Sequence, residues 1–203
     1  MFEKWCDENF LELNTSKTKE MITDFRSVKQ NPLLPMTMRG ETIEFVASFK
    51  YLGTIIDNKL SWIDHCQNVY AKAQQRLYFL RKMYSFHVDR TILLLFYKSV
   101  IESVILSSCI VWFGACRKED AEKLKRIPRH AKKMINEESN LNKTCASMIL
   151  KQAENIIENA NHPLHSCYTV MRSGKRFRSV GFRTNRFGNS FIPLSIRELN
   201  KLK

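Results

Sequence analysis

The side chains capable of chemistry are scattered along this sequence. Cys145, His162, His165 and Cys167 are ligands of the types that hold zinc, but their Cys-x16-His-x2-His-x-Cys spacing is irregular. The alternative is a polar loop in which Pro163 stops a helix. The acidic pairs Glu119-Asp120 and Glu137-Glu138 lie in polar, helical surroundings, where a solvated surface is the plainer reading. The six cysteines stand at 6, 66, 109, 116, 145 and 167 with no CxxC pair, and none has an evident base beside it in sequence. What recurs is a mixture of cations and aromatics. One stretch carries Lys72, Gln75, Phe79 and Lys82; another interleaves Arg172, Lys175, Arg176, Arg178, Arg183 and Arg186 with Phe177, Phe182 and Phe187. Cations neutralise phosphates and rings stack on bases, so this pattern points to nucleic acid.

The charge distribution agrees. Of 203 residues, 33 are Lys or Arg and 20 are Asp or Glu, a net of +13. Residues 63–135 carry 14 basic against 6 acidic side chains and residues 163–203 carry 9 against 1, whereas 1–62 and 136–162 are near neutral or acidic. Two basic blocks thus flank an acidic one, and an anionic partner such as an RNA/DNA hybrid or another nucleic acid is expected by charge. The cysteine usage fits a reducing, intracellular compartment, nucleus or cytoplasm. The opening "MFEKWCDENF" is too acidic and polar for a signal peptide, so secretion is not expected. Residues 91–114 are apolar, but Lys98 and Glu102 in the middle would each cost about 3 kcal/mol at a bilayer centre. A buried helix of a soluble domain, with no membrane partner, is the expectation.

These groups need elements to position them. Residues 2–10 read as the end of a helix, and 11–25 as strands on either side of an Asn-Thr-Ser-Lys turn. The segment 41–57 reads as strand ending at the turn Asp57-Asn58-Lys59. From Ile63 the period becomes helical, with Cys66, Val69, Tyr70, Ala73, Leu77, Leu80 and Tyr84 on one face and Lys72, Gln75, Phe79 and Lys82 opposite. Asp89 is placed to cap a helix over 90–114 that Gly114 ends. A basic helix over 118–136 should kink or break at Ile127 because of Pro128. A fourth helix spans 144–160, and 162–203 is loop-rich.

Several blocks together resemble a known family. "WCDENFLELNTSKTKEMITDFR", "FKYLGTIIDNKLSW", "KAQQRLYFLRKM", "RTILLLFYKSVIESVI", "HPLHS" and "RTNRFGNSFIPLSIRELN" are similar, in order and spacing, to the reverse transcriptases of non-LTR (LINE-type) retrotransposons. The resemblance implies an α+β piece of a right-hand polymerase. A small antiparallel palm remnant with a primer-grip hairpin would cover 1–62, a helical thumb-like region 63–136, and an extension with a basic tail 137–203. It further implies a leaving-group role for Lys17, and primer contacts from Phe49, Lys50, Tyr51 and Gly53. Lys72, Gln75, Lys82, Arg176, Arg178 and Arg183 are the remaining nucleic-acid candidates. The intact family uses two Mg²⁺ about 4 Å apart on palm aspartates. This chain has no Asp-Asp pair, so no cofactor and no polymerase activity of its own are expected.

A shorter segment, "NTSKTKEMITDF", resembles the N-terminal part of AlkB-like tRNA-modifying proteins, which join an iron/2-oxoglutarate dioxygenase to a methyltransferase. That chemistry needs a His-x-Asp motif and a distant histidine. His87-Val88-Asp89 has the spacing but falls between two helices. A methyltransferase glycine-rich loop is missing. An autonomous RNA- or DNA-binding module is the further alternative.

Overall fold

The computed structural model describes residues 2–26 and 34–202. Its class is α+β, mainly helical with short two-stranded sheets. The chain divides into two compact units, Met1–Ser61 and Trp62–Lys203.

The first unit holds α1 (Phe2–Glu8), a 3-10 turn (Thr15–Lys17), and six short strands: β1 (Lys19–Glu20), β2 (Thr37–Met38), β3 (Glu41–Thr42), β4 (Glu44–Phe45), β5 (Ser48–Tyr51) and β6 (Thr54–Asp57). They form three separate ladders, β1–β4 parallel, β2–β3 and β5–β6 antiparallel. This corrects the expected single antiparallel sheet. The strand expected before residue 14 does not form either: the Asn14 side chain accepts hydrogen bonds from the Lys17 backbone N–H (3.1 Å) and the Ser16 hydroxyl (2.7 Å), which curls the chain into the 3-10 turn. The segment 41–57 is likewise not one strand. Leu52 (φ 45°) and Gly53 (φ 88°) turn it back on itself between the paired residues Tyr51 and Thr54. Two consecutive positive φ values give a two-residue hairpin loop whose twist matches the strands, and glycine adopts that conformation at no steric cost. The turn expected at residues 57–59 is present, with the Asp57 carboxylate accepting from the backbone N–H of Lys59 and Ser61.

The second unit runs α2 (Ile63–Ser85), α3 (Arg90–Phe96), a π-turn (Tyr97–Glu102), α4 (Ser103–Leu106), α5 (Cys109–Trp112), α6 (Lys118–Ile135), α7 (Leu141–Glu158), α8 (Asn185–Gly188) and α9 (Phe191–Lys201). Cys66, Val69, Ala73, Leu77 and Leu80 of α2 are buried, as the periodicity requires, while Tyr84 at the end of the same stripe is exposed. They pack against Leu124, Ile127 and Ala131 of α6 and the stripe Leu93, Tyr97, Ile101 and Ile105. That stripe repeats every four residues, which on an α-helix drifts by about 40° per step. The π-turn, with more residues per turn, returns it to the core. Asp89 caps α3 as expected, its carboxylate accepting from the Thr91 N–H at 2.8 Å.

Three expectations fail here. The apolar helix does not run unbroken to Gly114: Ser108 (φ 52°) interrupts it after Leu106. Gly114 serves close approach instead, since a Cβ there would lie 2.6 Å from the Asn189 carbonyl oxygen and 2.7 Å from Leu194 Cδ2. The basic helix α6 runs through Pro128 without breaking. Proline forfeits one backbone hydrogen bond, but the ring is buried beside Leu124, Ile127 and Ala131, and that packing offsets part of the loss. The C-terminal region contains a regular helix, α9, with Pro193 in its first turn, where a missing N–H is tolerated. Ile196 and Leu199 of α9 join Ala153 and Ile156 of α7, Tyr168 and Phe177 in a second core.

Arg90–Trp112 is long and apolar enough, by length and composition, to cross a membrane. The expected buried helix is borne out only in part: the stripe Leu93, Tyr97, Ile101 and Ile105 faces the core, but most of the apolar stretch, Ile92, Leu95 and Val111 included, is exposed, and Lys98 pairs with Glu137 at 2.9 Å. The structure is compatible with a soluble chain.

Candidate nucleic-acid interface

On the outer side of α2, Lys72, Gln75, Tyr78, Phe79 and Lys82 fall within an arc of roughly 120° and along about 15 Å of helix axis. The reason is spacing: the buried positions 66, 69, 73, 77 and 80 claim one side, so residues at 72, 75, 79 and 82 are left on the other. Tyr78 and Phe79 are each about half exposed (54% and 51%) and meet edge to face at 5.7 Å. The Lys82 ammonium lies 5.8 Å from the centre of the Tyr78 ring, within cation–π range. Gln75 and Lys82 are exposed and Lys72 is half-buried. Inward of the strip, Arg76 Nη1 donates to the Val100 carbonyl at 2.5 Å, tying α2 to the π-turn. The strip therefore offers two cations, an amide and two rings on a rigid helix. Tyr78 was missed from sequence, although its adjacency to Phe79 and its i,i+4 spacing to Lys82 are the signal that marks it.

The C-terminal candidates divide. Arg176, Arg178 and Arg183 are exposed. Phe177, expected among the base-stacking rings, is buried, and the Asn200 side chain holds its backbone on both sides, accepting from its N–H (2.9 Å) and donating to its carbonyl (3.0 Å). Alternation along an extended segment then sends Arg176 and Arg178 outward. Phe182 packs beneath Arg197, whose guanidinium carbon is 5.7 Å from the ring centre. Phe187 is about half exposed.

In the first unit, Phe49, Lys50, Tyr51 and Gly53 are all exposed on the β5–β6 hairpin. Phe49 and Tyr51 share one face of β5, with Lys50 on the other. Lys17 is exposed in its 3-10 turn. These residues and the α2 strip belong to separate compact units.

The metal-ligand candidates are engaged elsewhere. Cys145 is buried in α7. His162 Nδ1 accepts from the Leu164 N–H (3.1 Å), and His165 Nδ1 lies 3.2 Å from the Ile156 carbonyl. Among the described residues no three His, Cys, Asp or Glu side chains converge as metal ligands. Glu137 and Glu138 pair with Lys98 and Lys132, each at 2.9 Å, and Asp120 is buried beside Lys123.

Against known families, the model described as "Alkylated DNA repair protein alkB homolog 8, N-terminal" matches residues 62–103. Those residues are the αα-hairpin of α2, α3 and the π-turn, including the whole cation–aromatic strip. No curated protein and no solved structure matches the chain. The resemblance to retrotransposon reverse transcriptases is overturned: the family matched is AlkB-related, and no reverse-transcriptase family supports the alternative. The leaving-group role for Lys17 and the primer-grip role for Phe49–Gly53 lapse with it. The AlkB-like resemblance stands better, although on other residues, because "NTSKTKEMITDF" at 14–25 lies outside the match.

The iron chemistry of AlkB-like dioxygenases does not fit these residues. His87 (φ 56°) is exposed in the turn between α2 and α3, and the Asp89 carboxylate is committed to capping α3.

Proposed function

We propose that this chain is a nucleic-acid-binding helical module related to the N-terminal part of alkB homolog 8, which holds a single strand against α2 and performs no bond-making step itself. The observation that carries this reading is the coincidence of the matched hairpin with the strip Lys72, Gln75, Tyr78, Phe79 and Lys82. The matched family is named for repair of alkylated DNA, so a nucleic acid is the natural ligand of its basic, aromatic face. Two exposed rings and two cations suit an unpaired strand, whose bases are free to stack, better than a duplex, whose bases are not. A strip of about 15 Å matches four to five nucleotides stacked at about 3.4 Å. Arg176, Arg178 and Arg183 add sequence-independent attraction to phosphate.

Fluorescence anisotropy with a labelled single-stranded RNA tests the reading. Replacing Tyr78 or Phe79 by Ala should weaken binding about tenfold, the loss of one stacked base at roughly 1–3 kcal/mol, with the fold intact by circular dichroism. Equal affinities for both variants and the parent chain would refute it.

A further inference from the structure

A cleft of about 390 Å³ opens between the start of α6, which contributes Ala115, Cys116 and Lys118, and the short helix α8, which contributes Asn185, Arg186 and Asn189. Both sides are held in place. Gly114 leaves room for the Asn189 carbonyl and for Leu194, so the two segments approach closely. Arg197 of α9 then fixes the end of α8, donating from one guanidinium nitrogen to the Gly188 carbonyl at 2.5 Å and from another to Asn189 Oδ1 at 2.9 Å. The second bond commits the carbonyl side of the Asn189 amide and leaves its NH₂ as a donor. The Cys116 thiol is turned to the Phe113 carbonyl, to which it donates at 3.1 Å. Among the described residues that line the cleft, none is acidic and none is aromatic. Asp120, two residues beyond Lys118, lines a separate cavity with Cys66 and Lys123.

We propose that this cleft binds a phosphate monoester, carried by the end of a nucleic-acid strand or by a free nucleotide. Charge decides the class. A phosphate inside a strand carries one negative charge, whereas a monoester carries about −1.5 to −2 at neutral pH and presents three acceptor oxygens. Lys118 and Arg186 set two positive charges against it, the ammonium as a compact point charge and the guanidinium as a fork that can engage two oxygens together. The Asn189 NH₂ is a further donor. The volume falls within the range of small-ligand sites, roughly 300–1,000 Å³, so there is room for the sugar that bears the phosphate. With no ring in the lining, the base is not gripped and little base preference is expected.

The test titrates the isotope-labelled full chain with inorganic phosphate at constant ionic strength, followed by amide NMR. Saturable shifts should centre on Lys118, Asn185, Arg186 and Asn189, and should be lost in Lys118→Ala and in Arg186→Ala, both surface changes that keep the parent's spectral dispersion. Shifts spread evenly over the surface, or undiminished in both variants, would overturn the proposal. A second arm compares single-stranded RNA ending in a 5′-phosphate with the same strand ending in a 5′-hydroxyl. This arm rests on the single-strand reading above and the phosphate titration does not, so the two can fail separately. A strand end in the cleft should bring a preference of about tenfold for the 5′-phosphate, the worth of one charge-assisted hydrogen bond, and both variants should lose it. Equal affinities for the two strands beside saturable phosphate binding would assign the cleft to free nucleotides.

Discussion

His65 sits buried between two indoles, edge-on to Trp112 at 4.9 Å and to Trp62 at 6.4 Å. Burial, and then the charge of Lys72, holds its pKa below the ordinary value of 6.5. Above that value the ring is neutral in both states and contributes no pH dependence. As pH falls through 6.5 the unfolded chain takes up a proton that the folded chain refuses, so stability falls until the folded pKa is reached. Thermal melts between pH 7.5 and pH 5 should show a declining Tm that flattens when His65 is replaced by Phe, and an unchanged slope in that variant would contradict the assignment. Gly114 makes a second prediction at this scale. Its absent side chain leaves room for the Asn189 carbonyl and Leu194, so Gly114→Ala should cost about 1–3 kcal/mol by overpacking, read as a lower midpoint in urea.

At the scale of elements, Pro128 is a test of competing magnitudes. An interior helical proline costs about 3 kcal/mol. Two buried ring methylenes return about 1.6 kcal/mol, and the stiffer unfolded chain about 0.7 kcal/mol. Pro128→Ala should therefore stabilise the chain by a little under 1 kcal/mol; a marked loss of stability would mean that the ring packs better than this. The same competition explains how much of the fold is readable in the sequence. The buried face of α2 and the Asp89 cap follow from spacing and residue type, and both are plain there. The rest of the fold depends on partners distant in sequence: α6 survives its proline because α2 covers it, and Ser108 breaks the apolar helix within its own pattern. Phe177 lies between two arginines, and nothing local distinguishes a ring bound for the α7–α9 core from one bound for solvent. In the candidate site, positions 72, 75, 79 and 82 are readable from helical period. Tyr78 lies at the edge of the strip, where only its adjacency to Phe79 and its i,i+4 spacing to Lys82 mark it.

At the scale of the whole molecule, division into two units carries a prediction of its own. Both basic blocks, 63–135 and 163–203, lie in Trp62–Lys203, and that unit holds both hydrophobic cores. A chain of residues 62–203 should fold cooperatively and bind single-stranded RNA as tightly as the full chain within about twofold. The affinity should fall with salt, and Lys82→Ala should reduce the slope of log K against log salt by about 0.7, the share of a single neutralised phosphate on a single strand. An unchanged slope would remove Lys82 from the interface.

The central claim, that α2 is where a strand lies, is tested most directly by ultraviolet cross-linking of the full chain to a single-stranded RNA, with the adducts mapped by mass spectrometry. The account predicts adducts at Tyr78 and Phe79, the two exposed rings of the strip. Persistent binding with adducts confined to the arginine-rich segment 172–186, or to the hairpin at 48–57, would contradict it.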